Sequence, residues 1–222
     1  MNTFRILFAT IIVFAAPAMS ATGSRRFLRR NDVEGQNQNQ QRQLDESVRI
    51  ERGPLLHQSA GGNPFDFLPS LLDIFNTGPN VTARLASLEI WSGDLVDGIR
   101  ASYEHRNEED GTVTALPLQS LMAGSFGGTR HVLTLSEGEY IDKMYVCERE
   151  LGEGFFRARV VSRVVFTTNL RPNGFAYGSA LNINNQVCPP GPYVAPGGSE
   201  IVGFHGRDGS LIDALGPVLA YR

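Results

Sequence analysis

The residues best placed to do chemistry cluster near the end of the chain, in the stretch 201–217, IVGFHGRDGSLIDALGP. His205, Asp208 and Ser210 are the residue types of a nucleophilic site. A nucleophile, however, needs a base within hydrogen-bond reach that is oriented by a third group, and closeness within one hairpin tip does not supply this. Asp213 returns inside the second apolar run, just past a turn built from Gly206, Asp208 and Gly209. An aspartate there can cap the turn by accepting backbone N–H bonds, or it can present a fixed acceptor to a ligand. His57, His105, His131 and His205 show no metal-ligand spacing with one another or with Cys147 and Cys188. Nucleophile-elbow, P-loop and dinucleotide motifs are absent. The chemistry on offer is binding rather than catalysis, and it implies neither metal nor cofactor.

The segments that must position these residues begin after a leader. Arg5, the apolar run Ile6–Ala16 and the small residues around Ala18-Met19-Ser20 read as a secretory signal over residues 1–20. The run is too short for a membrane span and no second one follows, which argues against stable membrane insertion. The expectation is a secreted, extracellular protein. In an oxidising compartment Cys147 and Cys188 would be favoured to join, closing a loop whose cross-link contributes about 4 kcal/mol in the chain-entropy model. The alternative is two separate buried thiols. Asn80-Val81-Thr82 is an N-glycosylation sequon on an expected loop.

Residues 21–52 read as a disordered polar leader, since EGQNQNQQRQ cannot bury enough apolar surface to offset ordering. The leader carries seven arginines against five acids, whereas residues 53–222 carry 12 basic against 18 acidic residues. An acidic globular part argues against nucleic acid as its partner. Within the leader, RRFLRR can be a solvated basic stretch or a dibasic processing site. It also resembles, at Arg26–Arg29, the RxLR motif of secreted oomycete effectors, which would imply delivery into a host cell.

From residue 53 to 222 the texture is that of one all-β domain, with short apolar segments alternating with Gly, Asn, Asp and Pro clusters. Strands are expected over 85–91, 96–103, 131–135, 140–147, 157–168, 175–179, 200–205 and 212–221. Ile99, Ala101 and Tyr103 share one face at period two, as do Val160, Ser162, Val164 and Phe166. Leu68, Leu71, Leu72 and Phe75 have helical spacing, which fits a short helix or a packed loop inserted over the core. Asp97-Gly98 reads as a bulge or bend, Trp91 as core or rim packing, and the Pro-rich residues 182–199 as a loop over either end.

Four segments in order, LASLEIWSGDLVDGIRASY, GSFGGTRHVLTLSEGEYI, VVFTTNLRPNGFAYG and IVGFHGRDGSLIDALG, resemble the jacalin-related lectin family and cover most of residues 54–222. The resemblance implies a β-prism of three four-stranded antiparallel Greek-key sheets around one core. It also implies a metal-independent carbohydrate site at one end of the prism. There the family's early glycine matches Gly61 and Gly62, and its G-x-x-x-D motif matches Gly209, Ser210, Leu211 and Asp213. A third loop near 148–154 would complete the site. The implied partners are glycans or glycoproteins of mannose or galactose type. A shallow polar site of this kind binds in about the millimolar to micromolar range, so avidity would come from a homo-oligomer or clustered glycans. Ser210 and Leu211 stand where relatives often carry a stacking aromatic. The other reading is a secreted effector-like protein whose β-prism is a protein-interaction module without sugar binding.

Overall fold

A computed structural model describes residues 48–57, 61–78, 80–116, 120–152, 158–181 and 185–222, all within one compact unit spanning 42–222. Its regular structure is almost entirely antiparallel strand, and the strands fall into three groups of four or five. The first group is β2 (Asn63–Asp66), β13 (Ser199–Asp208), β14 (Ile212–Tyr221) and β1 (Arg49–Arg52), in that spatial order. In the second, β4 (Val96–Asn107) and β3 (Val81–Ser92) are central. β7 (Thr129–Thr134) flanks β3, and β5 (Val113–Ala115) and β6 (Leu121–Gly124) pair with successive parts of β4. The third consists of β10 (Phe175–Gly178), β9 (Ala158–Thr168), β8 (Ile141–Leu151) and, on the far side of β8, β11 (Gln186–Val187) and β12 (Tyr193–Val194). Among the described residues, only the pairing of Ile201 with Ile141 joins the first group to the third.

Alternation explains why these segments are strands. In β4, Ile99, Ala101 and Tyr103 are buried while Arg100, Ser102 and Glu104 are less so, the period-two pattern of a half-covered sheet. The inward faces of the three groups meet in a single core that includes Leu88, Ile90, Ile99, Val164, Phe166, Phe204 and Leu215. Phe166 and Phe204 lie 5.7 Å apart at its centre. The buried Tyr103 hydroxyl donates to the Val202 carbonyl at 2.8 Å, so its polar end costs the core little.

Helix α1 (Leu68–Phe75) forms where helical spacing was expected, with proline in its first turn and its Leu68 N–H donating to the Asp66 carboxylate at 3.0 Å. It buries Leu71, Ile74 and Phe75, whereas Leu72 is 46% exposed. Ile74 therefore takes the place expected of Leu72 on the packed face.

Three further expectations are corrected. The folded chain starts before residue 53, because Arg49–Arg52 pairs residue for residue with Val218–Tyr221. Residues 49–52 therefore belong to a sheet and not to the polar leader. The Pro-rich stretch is not simply a loop, because β11 pairs with Glu148 and Arg149, and β12 with Lys143 and Met144. In β9 the face proposed for Val160 and Ser162 is broken by a register shift opposite Cys147 and Glu148, which turns Val161 into the core instead.

Cys147 and Cys188 form a disulfide that ties β11 to β8 across a sequence separation of 41. At the prism end where β7 leads into β8, Glu139 is almost fully buried. Burial pushes its carboxyl pKa up, but Arg171, the Thr168 hydroxyl at 2.5 Å and the Ser136 N–H at 2.9 Å more than offset this and hold it at about 2. A carboxyl held below its unfolded value contributes stability that is complete above the unfolded pKa and is lost as pH falls through the folded one. Thermal unfolding followed from pH 5 to pH 2 should therefore show the midpoint falling below about pH 4.5. In Glu139→Gln the curve should be flatter and lower throughout.

Candidate carbohydrate-binding site

Gly209, Ser210 and Leu211 connect β13 to β14, closed by the Gly209 N–H donating to the Leu211 carbonyl at 2.9 Å. Arg207 pairs with Ala214 but Asp208 pairs with Ile212, leaving Asp213 as the extra residue of a β-bulge. A bulge takes its residue out of the ladder and re-aims the side chain, which accounts for an aspartate inside an apolar strand. β2 lies along the same end of β13, with Asp208 opposite Asn63 and Arg207 opposite Pro64. That register carries Gly62 up against the bulge.

The fit at Gly62 is close. A Cβ there would run into the Asp213 carboxylate and lie 2.5 Å from the Asp208 carbonyl oxygen, and the residue has φ +65°. Only glycine meets both conditions without strain. Arg207 fixes the loop by donating from Nε to the Gly61 carbonyl at 2.6 Å and from Nη2 to the Gly62 carbonyl at 2.7 Å. Gly209 is not crowded, since a Cβ there would make an ordinary 3.8 Å contact with Asp213 Oδ2. The glycine that gives access to the carboxylate is thus Gly62. Gly62→Ala should lower the unfolding midpoint, with about 1 kcal/mol or more of backbone strain, and lose ligand binding. Gly209→Ala should keep its midpoint; paired thermal-shift and glycan-binding assays separate the two.

Asp213 is 8% exposed as a residue, and no hydrogen bond from the described residues acts on its carboxylate. Among the described residues, no backbone N–H caps the turn through it. Burial, then the neighbouring Asp208, raises its pKa against the opposing pull of Arg207 and His57. Its backbone carbonyl accepts from His57 Nε2 at 2.6 Å, which sets the tautomer with the proton on that nitrogen. Burial lowers the His57 pKa in spite of that bond. The N–H groups of Ser210 and Leu211 are likewise unbonded within the described residues. Of the third expected loop, Glu148 accepts from Arg159 at 2.9 Å and acts electrostatically on His57; residues 153–157 lie outside the described residues. The site offers a carboxylate acceptor beside free backbone donors, which suits a hydroxyl that both donates and accepts.

The same construction recurs between β3 and β4, where the sequence reads as a bulge or bend and the structure has the bulge. Gly93 N–H donates to the Leu95 carbonyl at 3.0 Å. Trp91 pairs with Gly98 and Ser92 with Val96, so Asp97 is again the bulged residue. Cβ atoms on Gly127 and Gly128 would lie 2.5 Å from Asp97 Oδ1 and 2.8 Å from Oδ2, respectively, and Gly128 has φ +68°. Burial raises the Asp97 pKa. The signal that could have revealed it is the shared spacing, Gly93 to Asp97 and Gly209 to Asp213. Beside this second tip, Phe126 is 66% exposed and packs edge-on against Trp91 at 4.8 Å. Two bonds link the tips: Gly124 N–H to Asp208 Oδ2 at 2.5 Å, and the Ser125 hydroxyl to the Ser210 carbonyl at 2.7 Å.

In the third sheet the bulged residue is Ser162, with Gly178 against its carbonyl at φ +92°. Ser162 is fully buried, and its hydroxyl accepts from Gln186 at 3.1 Å. This position carries no carboxylate and is closed by the β11 segment.

A three-sheet prism whose hairpin tips present carboxylates against glycines is the architecture of a sugar-binding β-prism. The jacalin-like lectin domain model matches residues 59–218, and the chain belongs to that family, whose members bind carbohydrate and are not enzymes. Among solved structures, the mannose-binding jacalin-related lectin AcmJRL from Ananas comosus is 24% identical. The match covers 78% of this chain and 99% of that one at a TM-score of 0.51. Artocarpin in complex with mannotriose is 17% identical over 77% of this chain and 97% of its own, also at 0.51. Among curated proteins none matches significantly.

Proposed function

We propose that this protein is a secreted, metal-independent lectin that holds a sugar between the Gly61–Gly62 loop and the Gly209–Asp213 tip. Asp213 accepts from sugar hydroxyls, the Ser210 and Leu211 N–H groups donate to them, and Gly62 leaves the room for the ring to reach the carboxylate. The observation that carries this reading is a carboxylate re-aimed by a bulge, approached by Gly62 too closely for any Cβ, and receiving no hydrogen bond from the described residues. Its acceptor capacity is left for a ligand hydroxyl. The candidate ligands are mannose- or galactose-type glycans and the glycoproteins that bear them. A glycan array probed with the wild-type protein tests this, and binding to nothing on it would contradict the proposal.

The second tip belongs to the same proposal, because Asp97 repeats the spacing, the bulge and the glycine approach. Phe126 adds there the apolar face against which sugar C–H groups pack, the element the first tip lacks. Asp97→Ala should halve the number of ligands bound per chain in calorimetric titration. A stoichiometry unchanged from wild type would remove Asp97 from the account. Two sites, or a homo-oligomer, would raise weak individual affinities into useful avidity.

Secretion through residues 1–20 is part of the proposal, supported by the disulfide, which is characteristic of oxidising compartments. So is glycosylation at Asn80, an exposed residue next to the start of β3. It lies at the end of β3 opposite the Gly93 tip, so an attached glycan would leave the binding end uncovered. Arg26–Arg29 falls outside the described residues, and its role in delivery is tested by uptake with and without that segment.

A further inference from the structure

The hairpin tips occupy one end of the prism. At the other, where β3 and β13 begin and β14 ends, lies a cavity of about 350 Å³. Ile201, in its wall, is seven strand residues from Asp208, about 23 Å at the usual rise, so the cavity is separate from the proposed sugar sites. Leu85, Leu135 and Ile201 supply apolar walls, and Tyr140, 38% exposed, stands at the rim. Glu200 and Arg222 are among its polar lining groups, with Arg84, Glu139 and Ser199.

Glu200 is 8% exposed. Arg222 Nη2 lies 2.7 Å from its Oε1 as a close ion pair whose poor hydrogen-bond alignment leaves acceptor capacity on the carboxylate. Burial raises the Glu200 pKa. Arg222 keeps outward N–H groups, since its guanidinium is half exposed and its one aligned bond is to the Ala83 carbonyl at 3.3 Å. The charges around the cavity already match in pairs: Arg84 with Glu104, Arg171 with Glu139, and Arg222 with Glu200. A charged ligand would leave one charge unmatched in a partly desolvated site, which is costly, so the balance selects a neutral ligand.

A carboxylate acceptor beside a guanidinium donor complements a heterocycle edge that carries an N–H next to a ring nitrogen or carbonyl. Separately, glutamate accepts from cytosine N4 and arginine donates to guanine O6 and N7. An aromatic wall suits the flat face of such a ring, and the volume is that of a small-ligand pocket. We propose that this cavity binds a free planar heterocycle, a nucleobase or nucleoside, held by Glu200 and Arg222 and stacked on Tyr140. A polynucleotide is not the ligand, because the domain around the cavity is acidic overall.

Saturation-transfer NMR on the full chain with adenine and with cytosine as probes tests this. Wild type should transfer saturation to the ring protons. The signal should survive excess methyl α-mannoside and persist in Asp213→Ala. Glu200→Gln and Tyr140→Ala should each weaken binding about ten-fold or more. Tyr140 is at the rim, so its variant remains informative if Glu200→Gln fails to fold. Absence of transfer from wild type with both bases would overturn the proposal. So would undiminished transfer in Tyr140→Ala, or loss of transfer in Asp213→Ala.

Discussion

Asp213→Asn should abolish measurable glycan binding while leaving the unfolding midpoint unchanged or slightly raised. The two halves of that result come from the same geometry. Within the described residues the carboxylate receives no hydrogen bond, so folding loses none when its charge goes. The nearest charge acting to raise its pKa is Asp208, and removing that repulsion favours the fold. A bound sugar, by contrast, loses hydrogen bonds to an ionised acceptor. These contribute about 1.5–3 kcal/mol each, or roughly ten- to a hundred-fold in affinity. From a starting affinity in about the millimolar to micromolar range, that is enough to put binding out of reach of most assays. A turn-capping aspartate would behave the opposite way, with a lower midpoint and unchanged binding.

The second large effect is on stability. Replacing Cys147 and Cys188 together by serine should cost about 4 kcal/mol, the chain-entropy value for a cross-link spanning 41 residues. For a domain of this size that lowers the midpoint by roughly 8–16 °C. The loss would fall first on β11 and β12, two-residue strands held along β8 by only two register pairs each. Gln186, which bonds the buried Ser162 and Ser179 hydroxyls, would go with them. Calorimetry with and without reductant measures the shift. Because Asp213 and Gly62 are held by β13, β14 and β2, glycan binding should survive reduction at temperatures where the domain stays folded.

What could be read from the chain was uneven, and for physical reasons. Period-two alternation located the long strands well, since it records directly which face is covered. It also located β14 to its ends, 212–221. β1 was missed because Ile50 is the only apolar residue in Arg49–Arg52, so a strand stabilised by pairing to an edge leaves almost no hydrophobic trace. Ser162 and Val161 were misassigned because a bulge shifts alternation by one residue without changing composition. At Asp97 the bulge was legible from Asp97-Gly98, but the approach of two glycines to its carboxylate was not. Its spacing from Gly93 was present in the sequence, but Gly127 and Gly128 come to its carboxylate only through the pairing of β7 with β3. At the first tip, the family resemblance brought Gly61, Gly62 and Asp213 together. The structure adds that Gly62, and not Gly209, makes the close approach.

The most direct test of the central claim is an amide NMR titration of the wild-type domain with methyl α-mannoside and methyl α-galactoside. The account predicts saturable shifts for one of them at Gly62, Ser210, Leu211 and Asp213, with a second set at Asp97, Gly127 and Gly128. No saturable shift with either sugar, or shifts that leave Gly62 and Ser210–Asp213 unmoved, would contradict it.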